Sequence, residues 1–301
     1  MSETLYVVDK LFTRNRLHLI FGPPRSGRST FLIQTEWEWC NARPVLGQES
    51  YPAHFCHIDA LRPLADVKEH MIHLGADPTL IPTISLLEAT SNEERTIDAV
   101  FAHAQRLVPS CRVIFLDGLQ SLCHGNITYQ RDVVNFMAHA AQQCLKRGIT
   151  IIATASTSKA AESNGTTPIL QRVTGSTSWV ELSGALIHIG PTAPDRFTEP
   201  ERTVSISTPR GKPQQLAYTF TDDGKLELTG DAASFPELDK WLVQITAGSD
   251  ITSKDIIEAA EARGYKRRSA FYWMKEQVAL GTIVLVEHGV YRKPTIPPPA
   301  N

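Results

Sequence analysis

Over the first 156 residues, short apolar runs alternate with stretches whose apolar positions recur at spacings of three and four. LHLIF (17–21) is an apolar strand that runs straight into GPPRSGRST (22–30). Beyond it Phe31, Leu32, Thr35 and Trp39 share one face of a predicted helix. The alternation continues with a strand in AHFCHID (53–59) and a helix carrying Leu64, Val67, Met71 and Leu74 on one face, stopped at Gly75. A short strand within TLIPTISLLE follows, then a helix in EERTIDAVFAHAQRLV that ends before Pro109. CRVIFLDGLQSL holds a buried strand with Asp117 at its carboxyl end, DVVNFMAHAAQQCLKRG a helix closed by Gly148, and GITIIATAS another buried strand. Uniformly apolar strands separated by amphipathic helices predict an α/β fold with a mostly parallel sheet covered on both faces. Ligands of such sheets bind beyond the carboxyl ends of the strands, where Gly22 and Asp117 both fall.

The pattern then changes. From Thr157 to Ser178 the chain is rich in Ser, Thr, Gly and Asn, which predicts a long loop. WVELSGALIHIG and RTVSISTPR predict antiparallel strands added to the sheet. QQLAYTFTDDGKLEL predicts a hairpin turning at Asp222-Asp223-Gly224, with the core ending near Gly230. Three short helices follow: PELDKWLVQITAG, SKDIIEAAEARG with Ser253 as its cap, and KRRSAFYWMKEQVALG with Ala270, Trp273, Met274, Gln277 and Val278 marking its interior. TIVLVEHGVYRK adds a two-stranded wing turning at His288-Gly289. The whole predicts a winged helix-turn-helix over 235–295, after a first domain at 1–230 and before a proline-rich, unpacked tail at 296–301.

Composition narrows the function classes. At 42% hydrophobic and 21% charged residues, the chain lies outside the disordered, collagen-like and coiled-coil classes. A net charge of -2 excludes coating of nucleic acid by global charge and leaves a local basic patch open. Such a patch exists: residues 251–293 hold eight Lys or Arg against five Asp or Glu. Lys266, Arg267 and Arg268 start the third helix, where a recognition helix meets the major groove. Arg292 and Lys293 follow the wing within reach of phosphate, and Tyr272 is a further DNA contact. Docking of a protein partner is the competing role for such a module. The five cysteines, Cys40, Cys56, Cys111, Cys123 and Cys144, show no CxxC pairing and read as reduced thiols of a cytoplasmic protein. His54, His57, His70, His73 and His103 share no metal-ligand spacing and read as solvated. No run of eighteen apolar residues occurs, so no membrane span is expected.

The chemistry centres on Gly22, Pro23, Pro24, Arg25, Ser26, Gly27, Arg28, Ser29 and Thr30. They keep the spacing of a phosphate-binding loop except that Arg28 replaces its lysine. Loop and helix-start N–H groups can cradle phosphate whatever that side chain is, and Ser29 can ligate Mg2+. A guanidinium is a planar fork, not a point charge, so the geometry around a transferring phosphoryl group changes and hydrolysis suffers before binding does. Arg25 either adds charge to a phosphate or projects into solvent or a subunit interface. Asp117 can bind Mg2+ through water. Asp59 either activates water or caps the turn before the next helix, and Thr154 and Ser156 either sense the terminal phosphate or are strand-end hydrogen bonders.

The order and spacing of these segments, with VIFLDGLQSL, GITIIATASTSKAAE and VTGSTSWVELSGALIHIG, resemble the RecA-type ATPase core over residues 10 to 225, in the branch of RepA-like replication helicases related to DnaB. The resemblance implies a homo-oligomer, as large as a hexameric ring, that binds ATP with Mg2+. It implies DNA and replication proteins as partners, with a helicase-like or loader role in a phage, plasmid or similar element. The family's basic fingers, which reach across a subunit boundary, correspond to Lys159 and Arg172, and residues 160 to 175 to the loop lining the DNA channel; a plain surface loop is the competing reading. Three departures stand out: Arg28, Asp59 where the family has a water-activating glutamate, and ATAS where it carries a histidine-containing polar pair. They point to the alternative of a catalytically degenerate scaffold or regulatory DNA-binding protein. A small-molecule kinase is disfavoured, because no arginine-rich lid helix is evident.

Overall fold

The computed structural model describes residues 6–46, 48–51, 53–88, 95–157, 173, 177–191, 200–208, 214–231 and 236–263. Beyond these it describes 270, 273–274, 277–278, 282–287 and 289–294. The chain divides into two units, residues 1–229 and 230–301.

In the first unit the strands are β1 (Tyr6–Val8), β2 (Phe12–Thr13), β3 (Leu17–Gly22), β4 (Phe55–Asp59), β5 (Thr83–Ser85), β6 (Val113–Asp117), β7 (Thr150–Ser156), β8 (Leu186–Pro191), β9 (Glu201–Ser207), β10 (Gln214–Phe220) and β11 (Leu226–Asp231). The helices are α1 (Arg28–Cys40), α2 (Leu64–His73), α3 (Ile97–Leu107), α4 (Gln130–Arg147) and the single turn α5 (Ser178–Glu181). Nine strands form one sheet in the order β11-β10-β9-β8-β3-β7-β6-β4-β5. From β8 to β5 every neighbouring pair is parallel, whereas β9 and β10 continue the sheet antiparallel.

Strand β3 is buried at every position because helices cover both of its faces. Its Ile20 joins Phe115 and Ile152 under α1 and α2, in a cluster with Leu32, Trp39, Val67 and Met71. Its Leu19 and Phe21 point the other way, into a cluster with Phe101 of α3, Met137 of α4 and Trp179 of α5. The period-2 alternation of a strand thus splits one apolar run between two cores. Thr96 caps α3 by accepting from the Ala99 N–H, and Gly148 closes α4 with a φ of 64°.

Two expectations are corrected. Trp179 to Glu181 form a helical turn and not a strand, because the Trp179 indole is swallowed whole by the second cluster, 5.6 Å from the Phe136 ring. Strand β8 runs parallel to β3 and is antiparallel only to β9. Its entry is fixed by His18, whose Nδ1 accepts from the Ala185 N–H while Nε2–H donates to the Thr13 carbonyl. The β1–β2 pair is an addition that the sequence pattern did not announce.

The second unit contains α6 (Pro236–Gln244), β12 (Asp250–Thr252), α7 (Ser253–Glu261), β13 (Val284–Glu287) and β14 (Val290–Arg292). The strands form an antiparallel sheet in the order β12-β14-β13, one strand more than the expected wing. Leu238, Leu242, Ile256, Ala260, Ala270, Trp273, Met274 and Ile283 make its core, whereas Val278 is exposed rather than interior. The cap of α7 is Thr252, one residue before the expected Ser253: its hydroxyl accepts from the Asp255 N–H while the Asp255 carboxylate accepts from the Thr252 N–H. Thr252→Ala removes this box, and a loss of about 1 kcal/mol is expected, seen as roughly fivefold faster amide exchange in α7. Unchanged exchange would show that the box contributes nothing.

Candidate functional site

The loop between β3 and α1 bends through Arg25 and Gly27, with φ of 65° and 96°, and no side chain caps the start of α1. The first bond of the helix is Phe31 N–H to the Gly27 carbonyl at 2.8 Å, which leaves the N–H groups of Arg28, Ser29 and Thr30 without intrahelical acceptors. They face a cavity of about 280 Å³ lined by loop residues 25–30 with Arg62, His70 and Phe220. Ser26 is buried beside it, and its Oγ has no hydrogen-bond partner among the described residues. Pro23 is buried under the loop, whereas Pro24 and Arg25 are exposed. Arg28 donates to the Ser156 Oγ at 2.9 Å, and so ties the loop to the end of β7.

Strands β4 and β6 are adjacent and in register, with Asp59 opposite Asp117 at their carboxyl ends. Two carboxylates so placed repel unless a cation lies between them. Arg62, in the turn before α2, supplies it. Its guanidinium lies 2.7 Å from Asp59 Oδ2 and 3.0 Å from Asp117 Oδ2, and its Nη1 donates to His70 Nδ1 at 2.9 Å. Arginine cannot accept, so His70 Nδ1 is the acceptor and Nε2–H donates to the Thr30 hydroxyl, 3.3 Å away. Burial first, and then the neighbouring guanidinium, lower the His70 pKa, which keeps that ring neutral.

Asp59 also accepts from the Leu61 and Arg62 N–H groups at 2.7 and 2.8 Å. Burial would raise its pKa, but the His57 ring, Arg62 and the Leu61 N–H hold the carboxyl below its ordinary value. In this arrangement Asp59 caps the turn before α2. Asp117 Oδ1 accepts from the Thr154 hydroxyl at 2.5 Å, and that hydroxyl in turn accepts from the Gly118 N–H. Thr154 therefore anchors Asp117. Behind the site, Glu36 of α1 and His57 of β4, both wholly buried, meet at 2.7 Å. Burial disfavours a charged imidazole, but Glu36 on one side and Asp59 at 3.9 Å on the other outweigh it and push His57 up to about 10. The expectation of solvated histidines is thus corrected for His57, which is buried because it pairs, and for His70, which is half-buried in the cavity wall.

A Mg2+ ion on Ser29 and Asp117 does not fit this donor set. Both Asp117 oxygens are engaged, one by the Thr154 hydroxyl and the other by the fixed Arg62 guanidinium. Lys159 and Arg172 lie outside the described residues, as do Lys266, Arg267, Arg268, Tyr272 and the 296–301 tail. Arg292 forms a two-pronged pair with Asp250 at 2.6 and 3.0 Å. Lys293 donates to the carbonyls of Leu242, Val243 and Ile245, closing the end of α6, so its ammonium is engaged within the unit and not held out for phosphate.

No protein-family profile matches the sequence, and no curated protein matches it. Solved structures do. A KaiC-like protein from the hyperthermophilic archaeon Pyrococcus horikoshii superposes with a TM-score of 0.52 at 13% identity, covering 74% of this chain and 93% of that one. The fold is RecA-like. That likeness concerns the α/β core and its large, mostly parallel sheet. Among the described residues no helix is long and apolar enough to cross a membrane.

Proposed function

We propose that residues 1–229 bind the phosphates of a nucleoside triphosphate with little or no hydrolysis. In this reading the chain acts as an oligomeric, DNA-binding assembly or regulatory protein of a replicating phage, plasmid or similar element. The observation that carries the nucleotide part is the cavity where the bare start of α1 meets Arg25, Arg28 and Arg62. Three guanidiniums and uncapped N–H groups form an anion site, and Phe220 gives it an apolar wall. The weakness of hydrolysis follows from the carboxylates: Asp59 is spent on Arg62 and on backbone N–H groups, and Glu36 is sealed in the core with His57. Neither can polarise an attacking water.

The DNA part rests on the surplus of basic residues in 251–293, read as a winged helix, and on the resemblance to replication helicases, which also supports oligomerisation. With Arg292 and Lys293 engaged inside the unit, DNA contact falls to Lys266, Arg267, Arg268 and Tyr272. The test is titration calorimetry with ATP, turnover assays with and without single- and double-stranded DNA, and mass measurement of the same samples. Expected are ATP binding, an oligomer, and turnover at least about 100-fold below the ~1 s⁻¹ of slow ordinary enzymes, unchanged by DNA. DNA-stimulated turnover by a ring would replace this reading with a motor.

A further inference from the structure

The loop spacing implies a divalent cation, but the place where its carboxylate partner would act is taken by a side chain. Asp117 is gripped from one side by the Thr154 hydroxyl and from the other by Arg62, and Arg62 is itself fixed by Asp59 and His70. The guanidinium lines the same cavity as the phosphate loop. We propose that Arg62 stands in place of the divalent cation, so that the cavity takes the triphosphate of a nucleotide free of metal. This deepens the nucleotide-binding reading above and rests on it.

The charges support a metal-free ligand. A Mg2+ ion carried in on ATP would meet Arg25, Arg28 and Arg62 around the cavity and would find Asp59 and Asp117 already engaged by Arg62. A bare triphosphate meets Arg25, Arg28 and Arg62 there, with the bare N–H groups at the start of α1. Ser26, buried at 1% exposure beside the cavity, has an Oγ without a hydrogen-bond partner among the described residues. Arg62 is also built to stay. Its main chain bonds Asp59 and Ser85, and three hydrogen bonds of its guanidinium tie it to Asp59, His70 and Asp117, a fork an ammonium could not copy.

The experiment is calorimetric titration of the full chain with ATP, once in EDTA and once in excess Mg2+. It is paired with Mn2+ binding read by electron paramagnetic resonance on the wild type and on Arg62→Gln. Expected for the wild type is binding in EDTA at least as tight as in Mg2+, with no bound Mn2+. In Arg62→Gln, metal-free ATP binding should fall about 10-fold or more, and Mn2+ should now bind at the paired carboxylates, since a fixed positive charge at the cavity wall is lost and Asp59 and Asp117 are released. Wild-type binding in Mg2+ but not in EDTA would overturn the metal-free inference and leave the nucleotide reading standing. No binding in either buffer would overturn both. If Arg62→Gln does not fold, the wild-type comparison alone decides.

Discussion

Glu36→Ala is expected to destabilise the protein by about 3–5 kcal/mol, the cost of leaving a buried charge without its partner. Both side chains of the Glu36–His57 pair are fully buried, so water cannot replace what is lost. The groups facing His57 are Glu36, Asp59, Asp117 and, beyond them, Arg62; without Glu36 the imidazolium keeps only the more distant carboxylates. The pair also fixes a pH dependence. His57 is raised from 6.5 to about 10, so its contribution is complete below pH 6.5 and is lost as pH rises toward 10. His18 has the opposite slope. Burial lowers it to about 4, and its Nδ1 already accepts a backbone N–H, so stability is lost as pH falls from 6.5 toward 4. Urea titrations of the wild type should show the His57 contribution as a loss of stability between pH 6.5 and 10, and that alkaline slope should flatten in Glu36→Ala. The double variant Glu36→Leu, His57→Leu should recover most of the loss, because an apolar pair leaves no orphaned charge. A single-variant cost under about 1 kcal/mol would mean that the two groups do not share a charge in the fold.

How much of this was legible in the chain depends on range. The alternation of apolar strands with amphipathic helices marked β3 to β7 and α1 to α4, because strands buried on both faces admit few polar residues. The loop at Gly22 to Thr30 was visible from spacing, and Asp117 from its place at the end of an apolar run. What stayed hidden was pairing across the sheet. Asp59 and Asp117 lie far apart in sequence and meet only because β4 and β6 are neighbours in register. Arg62 has no place in the sequence reading, although its position three after Asp59 is a usable signal for a turn-closing ion pair. His70 reads as solvated in the sequence because its partners, Thr30 and Arg62, come from other segments, and Glu36 carries no signal until β4 brings His57 to it. The parallel direction of β8 was equally non-local: a mixed apolar strand does not carry its own direction, and the contact between His18 and Ala185 that sets it spans most of the first unit.

The second large effect separates the two glycines of the loop. Gly22→Ala is expected to cost about 3 kcal/mol or more, at the upper end of single substitutions, and to cut soluble yield. A Cβ at Gly22 would overlap the Ile189 carbonyl oxygen and come 2.7 Å from Ser26 Oγ. That carbonyl cannot retreat, because Ile189 is paired with Val204 in β9 while Gly22 itself is held beside Ser156 of β7. A side chain can turn away from a new methyl group; a carbonyl fixed inside a nine-stranded sheet cannot. At Gly27 the conflict has a different source. Its Cβ would meet the Phe220 ring at 2.5 Å and Leu226 at 3.0 Å, and a φ of 96° is one that L side chains rarely adopt. The first glycine therefore serves close packing of β3 against β8, and the second serves the turn into α1 that leaves its N–H groups bare. Thermal melts should place Gly22→Ala far below the wild type, while Arg25→Ala, exposed on the same loop, stays within about 0.5 kcal/mol of it. A Gly22→Ala protein that melts with the wild type would show that β3 and β8 do not approach so closely. The anion cavity would then rest on a looser loop than the one that converges Arg25, Arg28 and Arg62.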